Sequence, residues 1–380
     1  MATYIWQKKW WPNFVYSTED VEDSLLSFAR TTGEVTGILK SLPQTSQTEA
    51  VIDMMVSEAI KTSEIEGEYL SRRDVMSSIR NNLGLNSEPD PVADKKANGI
   101  AELMIDVRST YSEPLTEAKL FEWHRMLMSG SKRINAGAWR THHEPMQVIS
   151  GSVSNPTVHY EAPPSEQVPA AMEQYIRWFN ESAPGGNAEI KQPPIRAAIA
   201  HLYFETIHPF EDGNGRIGRA IAEKALSQGL GRPVLLSLSR TIEAEKKAYY
   251  NALEYAQKSD EISEWIGYFV KTTLSAQYQA EKQIEFTLRK VKFFDRYRDQ
   301  LNERQMVVVK RMMEEGPAGF QGGMSAKKYM VIAKTSKATA TRDLQELLAR
   351  GAFIPDGEGG GRSTKYQLSL VTDSASTNVY

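Results

Sequence analysis

The run "PPIRAAIAHLYFETIHPFEDGNGRIGR" (193–219) constrains the fold more than any other stretch of this chain. Pro193 and Pro194 open it, alanines fill it, and Ile195, Ile199, Leu202 and Tyr203 recur at three-to-four spacing. That pattern predicts a helix, not a strand. Pro209 ends the helical path, and glycines at 213, 215 and 218 follow. "GNGRIG" fits the glycine fingerprint of a dinucleotide-binding turn, but such a turn needs a buried strand before its first glycine and a strand–helix–strand unit around it. A helix precedes it here, and no parallel-sheet pattern flanks it. The dinucleotide reading fails on context.

The side chains between the glycines give a different chemistry. His208 stands at the helix end, seven residues after His201, and an ordinary imidazole is mostly neutral at pH 7, fit to accept a proton. Asp212 is a hard oxygen ligand of the kind Mg²⁺ takes beside phosphates. Gly213, Asn214 and Gly215 let backbone N–H groups approach an anion at the mouth of a new helix. Arg216 and Arg219, three apart, project from one face of that helix as two phosphate clamps. A base, a metal ligand, an anion nest and two guanidinium groups are the parts for moving a phosphorus group.

The rest of the chain reads as mainly helical. At 380 residues, with 41% hydrophobic and 24% charged residues, it is an ordinary globular composition expected to form two or three domains. The absence of cysteine excludes disulfides, thiol nucleophiles and thiolate zinc sites. The start carries no secretion signal, no run reaches the roughly 18 apolar residues of a membrane helix, and a cytoplasmic protein is expected. There is no internal repeat and no Walker lysine loop.

Residues 1 to about 45 form an aromatic-rich opening whose Trp6, Trp10 and Trp11 are expected to pack on the next domain. A helix from about 49 breaks at Gly67, and others are expected over 72–82, 92–111, 116–129, 165–181, 194–207, 217–229, 240–257 and 260–299, several behind a cap such as Ser112 or Ser165. Between them, "MQVIS" and "TVHYE" alternate around a Gly/Ser/Asn/Pro turn and predict a β-hairpin within 144–162. From 301 the pattern changes to helices at 302–316, 325–335 and 336–351, two small strands around a glycine-rich tip within 352–368, and a polar tail, 371–380.

"HPFEDGNGRIGR" resembles the signature of the Fic family, His-x-Phe-x-(Asp/Glu)-Gly-Asn-Gly-Arg-x-x-Arg, at every specified position. The likeness extends over about residues 46–285, through "AGAWR" (136–140), the hairpin and "KKAYYNALEYAQ" (246–257). The resemblance implies a Fic-type helical bundle with a β-hairpin flap, with 1–45 as an associated segment and 286–300 as a connecting helix. It implies transfer of AMP from ATP to a Ser, Thr or Tyr hydroxyl of a target protein, and of the enzyme itself. His208 would be the base, Asp212 would hold Mg²⁺, and Gly213, Asn214, Gly215, Arg216, Ile217, Gly218 and Arg219 would cradle the phosphates. Phe210 would anchor the loop, and a ring of Tyr249 or Tyr250 would line the adenine pocket. The target would add its backbone to the flap edge.

"TSEIEG" (62–67) fits the family's inhibitory pattern, with Thr62 and Glu66 one turn apart on a helix and Gly67 after them. In relatives this Glu pairs with the second arginine, here Arg219, so that ATP binds unproductively. The family also implies a possible homodimer, and some members remove AMP or use another nucleotide or phosphocholine.

Residues 289–365 carry 16 Lys/Arg against 9 Asp/Glu in a chain of net charge −3. Three helices and a hairpin resemble a small α+β winged helix over 301–370, with Lys334, Lys337, Thr339, Thr341 and Arg342 toward duplex DNA. That leaves a rival function of another class: a DNA-binding regulator whose Fic core senses ATP or is silent.

Overall fold

The computed structural model describes residues 4–131, 133–152, 155–356 and 364–370. The tip expected within the C-terminal hairpin (357–363) and the tail (371–380) lie outside the described residues. Two compact units divide the chain: Met1–Gly33 with Val51–Ala280, and Glu34–Ala50 with Glu281–Tyr380.

The elements run in order α1 (Glu22–Ser41), α2 (Gln44–Ile65), α3 (Arg72–Asn82), α4 (Lys95–Ser109) and α5 (Glu117–Met128), then β1 (Gln147–Ser152) and β2 (Asn155–Glu161). There follow α6 (Val168–Glu181), α7 (Pro193–Ile207), α8 (Asn214–Leu230), α9 (Leu238–Ala244), α10 (Lys246–Ala256) and α11 (Ser263–Tyr297). The last are α12 (Glu303–Met313), α13 (Ala326–Ala333), α14 (Lys337–Ala349), β3 (Phe353–Pro355) and β4 (Tyr366–Leu368).

In the first unit, α7 is the centre. Every residue from Pro194 to Ile207 is buried, so this helix is covered all round and shows no amphipathic stripe. It packs along α8, while α4, α5 and α9 lie against α8 and α6 lies against α7. Trp265 of α11 donates its indole N–H to Ala198 O at 2.8 Å, and Tyr175 of α6 donates to Ala200 O at 3.1 Å. These bonds pair the polar atoms that such complete burial would otherwise strand. The aromatic opening packs as expected. Trp11 stacks edge-on against Tyr203 at 4.9 Å, and the Trp6 indole donates to Glu161 O at 2.9 Å.

Three expectations need correction. The opening segment contains α1, in which buried Phe28 and Val35 continue a seven-residue spacing from Val21 just before it to Leu42 just after it, amid glycines and polar residues. The helix expected over 240–257 is two helices, because Glu245 takes non-helical angles (φ −127°, ψ 40°) and its carbonyl accepts the Ala248 and Tyr249 N–H groups. Finally, α5 is capped by Thr116, not Ser112, and α6 is entered through Gln167 with a proline in its first turn.

In the second unit, α12, α13 and α14 enclose Val308, Met312, Tyr329, Leu344 and Leu347. Asn302 and Gln305 form a capping box on α12, and Ser325 and Ser336 cap the next two helices. Buried Asp343 is held by the Arg304 fork and the Tyr329 hydroxyl, which together keep its carboxyl below the usual range despite burial. β3 and β4 pair antiparallel, and Met324 bridges Tyr366 on the far side of β4.

Candidate active site

The loop between α7 and α8 is built around a left-handed residue. His208 caps α7 at φ 50°, ψ 59°, with its N–H on Phe204 O at 2.9 Å. A non-glycine residue pays about 1–2 kcal/mol for that conformation, so surrounding contacts must fix it. Arg140, itself buried, supplies them. Its Nε donates to His208 O at 2.8 Å, and its Nη2 to Ile207 O at 3.3 Å and Pro163 O at 2.5 Å. Its Nη1 donates to Ser165 Oγ at 2.8 Å. One guanidinium thus ties the helix end to the segment leaving β2. The His208 imidazole is nearly enclosed; burial, then the Arg140 charge, push it down to about 4, so it is neutral at pH 7.

The loop is pinned from both ends. Asn214 accepts the Phe210 N–H at 2.9 Å and donates to Phe210 O at 2.8 Å. Phe210 is buried, stacked on His124 at 4.0 Å and beside Trp139 at 5.0 Å, which bears out the anchor expected of it. His124 Nδ1 accepts the Gly137 N–H at 2.9 Å, so its proton belongs on Nε2, which faces Asp212 O at 3.2 Å. Burial pushes this imidazole too down to about 4.

Gly213 turns the chain into α8 at φ 84°. The first N–H groups of a helix have no partner within it, and here they open beside the cavity that Gly215 lines. A Cβ built on Gly215 would stand 2.2 Å from Glu66 Oε1. Only a glycine admits that carboxylate.

Both arginines are engaged. Arg219, 1% exposed, donates from Nε to Thr62 Oγ1 at 2.8 Å, and from Nη2 to Thr62 O at 3.0 Å and Glu66 Oε1 at 2.7 Å. Gly67, at φ 80°, ends α2 just beyond that carboxylate. Arg216 donates to Glu68 Oε2 at 2.5 Å and to Asp212 Oδ1 at 3.3 Å. Asp212 Oδ1 also accepts the Gly213 N–H, and the carboxylate is exposed to solvent. A single exposed carboxylate at an anion nest suits Mg²⁺, which takes most of its ligands from water and phosphate.

A cavity of about 460 Å³ opens beside these groups, lined by Glu66, Glu205, His208, Gly215, Tyr249 and Tyr250, and on the flap side by Val148 and Ile149. Tyr249 is buried and shares a 2.8 Å hydrogen bond with His201 Nε2, whereas Tyr250 is partly exposed. The hairpin pairs Gln147 with Glu161 through Ser152 with Asn155, with an irregularity between Val148 and Ile149. Ile149 is 56% exposed and Val158 40%. The His159 ring meets Glu254 of α10 at 2.8 Å, and the Tyr160 hydroxyl donates to Thr206 O at 2.5 Å.

The structure therefore brings Thr62, Glu66, His208, Asp212, Gly213, Asn214, Gly215, Arg216, Arg219, Tyr249 and Tyr250 into one region. The side chain of Ile217 is fully buried. Gly218 backs onto Glu205, and Asn214 is spent on the loop. Lys337, Thr341 and Arg342 lie in the second unit, exposed on α14, with the Thr341 hydroxyl donating to Lys337 O at 2.9 Å. Sequence reasoning missed Arg140, Glu68 and Glu205. Their only signal was position: beside a tryptophan, two residues past Glu66, and one turn before His208.

Nine buried side-chain polar atoms among the described residues lack a hydrogen-bond partner, and five of them belong to His201, Glu205, His208, Arg216 and Arg219. Unpaired polar atoms concentrated around one loop mark a place built for a polar ligand.

Residues 114–226 match the Fic/DOC family, and residues 4–85 match a domain of unknown function, DUF4172. The chain carries a Fic/DOC domain. "Protein adenylyltransferase Fic" of Nematostella vectensis is 28% identical over 165 residues, 43% of this chain and 34% of that protein. "Protein adenylyltransferase fic-1" of Caenorhabditis elegans is 28% identical over 142 residues, 37% of this chain and 24% of that protein. The chain thus spans about a third or less of these relatives' length. A crystal structure of a Fic family protein from Desulfovibrio desulfuricans covers 91% of this chain and 95% of its own, at TM-score 0.51 and 19% identity. A Fic domain containing signaling protein from Bacteroides thetaiotaomicron covers 69% and 97%, at TM-score 0.52 and 18% identity. The mainly helical fold with its hairpin is that of Fic proteins. Among the described residues, no helix is long and apolar enough to cross a membrane.

Proposed function

We propose that the chain is a protein adenylyltransferase, moving AMP from ATP to a Ser, Thr or Tyr hydroxyl of a target protein and of itself. The observation that carries this reading is the neutral His208 on one cavity with Gly215 at the start of α8, the helix whose Arg216 and Arg219 each keep one guanidinium nitrogen without a partner. His208 takes the proton of the acceptor hydroxyl, whose oxygen attacks the α-phosphorus; the bond to the β-phosphate breaks and pyrophosphate leaves. The N–H groups at the start of α8, with Arg216 and Arg219, receive the phosphate oxygens, and Gly213 and Gly215 leave room for them. Ile217 and Gly218 contribute backbone and packing only. Tyr249 or Tyr250 takes the adenine face. Mg²⁺ on Asp212 supplies charge neutralisation to the phosphates when bound. The flap, between 144 and 162, takes the target as an added strand.

Glu66, bonded to Arg219 at 2.7 Å, is the residue that restrains the site in this reading. Purified wild type, Glu66→Gly and His208→Ala, incubated with labelled ATP and read by intact mass, test the proposal. Label that rises in Glu66→Gly and vanishes with His208→Ala supports it; label independent of His208 removes it. The same protein removing AMP from a modified target is a separate outcome of the assay.

A second reading rests on the exposed basic face of α14. Lys337, Thr341 and Arg342, with Lys334 at the preceding turn, stand in solvent on the last of three helices followed by a hairpin. That arrangement suits a winged helix over 301–370 binding duplex DNA, and it coexists with adenylyl transfer.

A further inference from the structure

Glu205 lies one helical turn before His208 on α7, and the two side chains face each other. Glu205 Oε2 stands 3.6 Å from His208 Nδ1. Neither His208 Nδ1 nor Glu205 Oε1 has another partner, and both are buried. The backbone carbonyl of Glu205 also faces the imidazole. Two acceptors of a single residue therefore confront Nδ1.

Such a carboxyl is expensive to bury, since among the described residues no fixed cation forms an ion pair with it. Its surroundings explain how it persists. Burial pushes it up to about 8, Arg219 of α8 draws it down, and Glu66 of α2 pushes it up again. Behind it, Glu205 Oε1 would lie 2.3 Å and His201 Nδ1 3.1 Å from a Cβ built on Gly218, so α8 passes close only because that residue is glycine. Tyr249 and Tyr250 of α10, Tyr160 of β2 and Tyr175 of α6 also face it, and burial holds all four above the usual phenol range. A carboxyl kept in this enclosure, against a histidine nitrogen lacking any other partner, has a task in the enclosure.

We propose that Glu205 is the positioning residue of His208, fixing the imidazole with its proton on Nδ1 and Nε2 as the basic atom. The proposal rests on the adenylyl-transfer reading of His208. In the step, the acceptor O–H gives its proton to Nε2 and its electron pair to phosphorus, and pyrophosphate leaves with the electrons of the broken P–O bond. The imidazolium that results keeps its Nδ1–H toward Glu205, whose carboxyl is neutral up to about pH 8 and, once ionised, offsets the new charge. The backbone carbonyl of Glu205 can hold the tautomer but cannot supply that charge.

Two measurements separate this role from packing. The first uses Glu66→Gly protein with labelled ATP, alone and combined with Glu205→Gln, Glu205→Leu or Glu205→Asp. The Gln and Leu variants are expected to lower kcat by about 100-fold, the low end of what a positioned acid–base pair supplies. KM for ATP should change little, and Asp should restore part of the rate. An unchanged kcat in both Gln and Leu variants overturns the proposal. The second is ¹⁵N NMR of the imidazoles in the unmodified chain, with the His208 signal identified by its loss in His208→Gln. A proton on Nδ1 in wild type, and a mixture of tautomers in Glu205→Leu, are expected. A proton on Nε2 in wild type overturns the proposal. If no variant incorporates AMP, the adenylyl-transfer reading falls while the NMR still decides whether Glu205 sets the tautomer.

Discussion

Arg219 and Glu66 meet 153 positions apart in the chain, Nη2 to Oε1 at 2.7 Å, with Thr62 taking the guanidinium Nε at 2.8 Å. The arginine is buried and the carboxylate is its partner at the cavity edge. Arg219 Nη1 remains without a partner, so the cation is half used.

Replacing Glu66 by glycine should free Nη2 for the nucleotide. A charge-assisted hydrogen bond contributes about 1.5–3 kcal/mol net, equivalent to roughly 10–100-fold in rate or affinity. AMP incorporation by Glu66→Gly is expected to exceed wild type within that range, measured by intact mass over time. Equal labelling would dissociate the pair from restraint.

Arg216 is held in turn by Glu68, which also accepts from Lys96 at 2.7 Å. Because Glu68 is partly exposed, its release is worth less, about 0.5–1 kcal/mol. Glu68→Ala in the Glu66→Gly background should lower KM for ATP about threefold and leave kcat near its starting value.

Arg140→Ala removes the donors to three backbone carbonyls and leaves them buried. At about 1–3 kcal/mol for each stranded group, and about 2–4 °C per kcal/mol for a unit of this size, Tm should fall by roughly 6 °C or more. Activity should fall further than stability, because the left-handed turn at His208 loses its clamp. Calorimetry beside the labelling assay distinguishes the two losses.

Acid should destabilise the first unit through its buried imidazoles. His201 is held down to about 3 and His124 to about 4, both by burial, against an ordinary value of 6.5. Between those limits the unfolded chain binds protons that the folded chain refuses, so stability falls as pH drops from 6.5 toward 4. Glu205 works in the opposite sense: held up to about 8, it costs stability as pH rises from 4.5 toward 8. Urea midpoints across pH 4–6.5 should fall with acid, and less steeply in His201→Gln.

If α14 reads DNA, duplex affinity should drop steeply with salt, and Arg342→Ala should reduce the slope of log K against log salt by about one. Binding insensitive to salt would assign the exposed Lys337 and Arg342 to solvent alone.

Much of this architecture was legible. The α7–loop–α8 unit followed from Pro193, Pro209 and Gly213, because proline and left-handed glycine act locally. The hairpin followed from alternation, and Thr62, Glu66 and Arg219 from a motif. What escaped depends on distance in three dimensions. Glu205 is one of many glutamates until α8 closes over it, and Arg140 is an ordinary surface-type residue until four acceptors surround it. The helix break at Glu245 has no glycine or proline to announce it, and α1 hides its seven-residue stripe among Gly33, Gly37 and polar residues.

Glu66 sits just past the last turn of α2, and Thr62 sits one turn back. A helix advances by about 100° per residue, so the two reach one guanidinium only because four positions separate them. The shared grip on Arg219 is thus written as a count along the backbone. Inserting one alanine between them would swing the carboxylate a quarter-turn away while leaving every side chain in the chain intact, and the ion pair with Arg219 would be lost by miscounting.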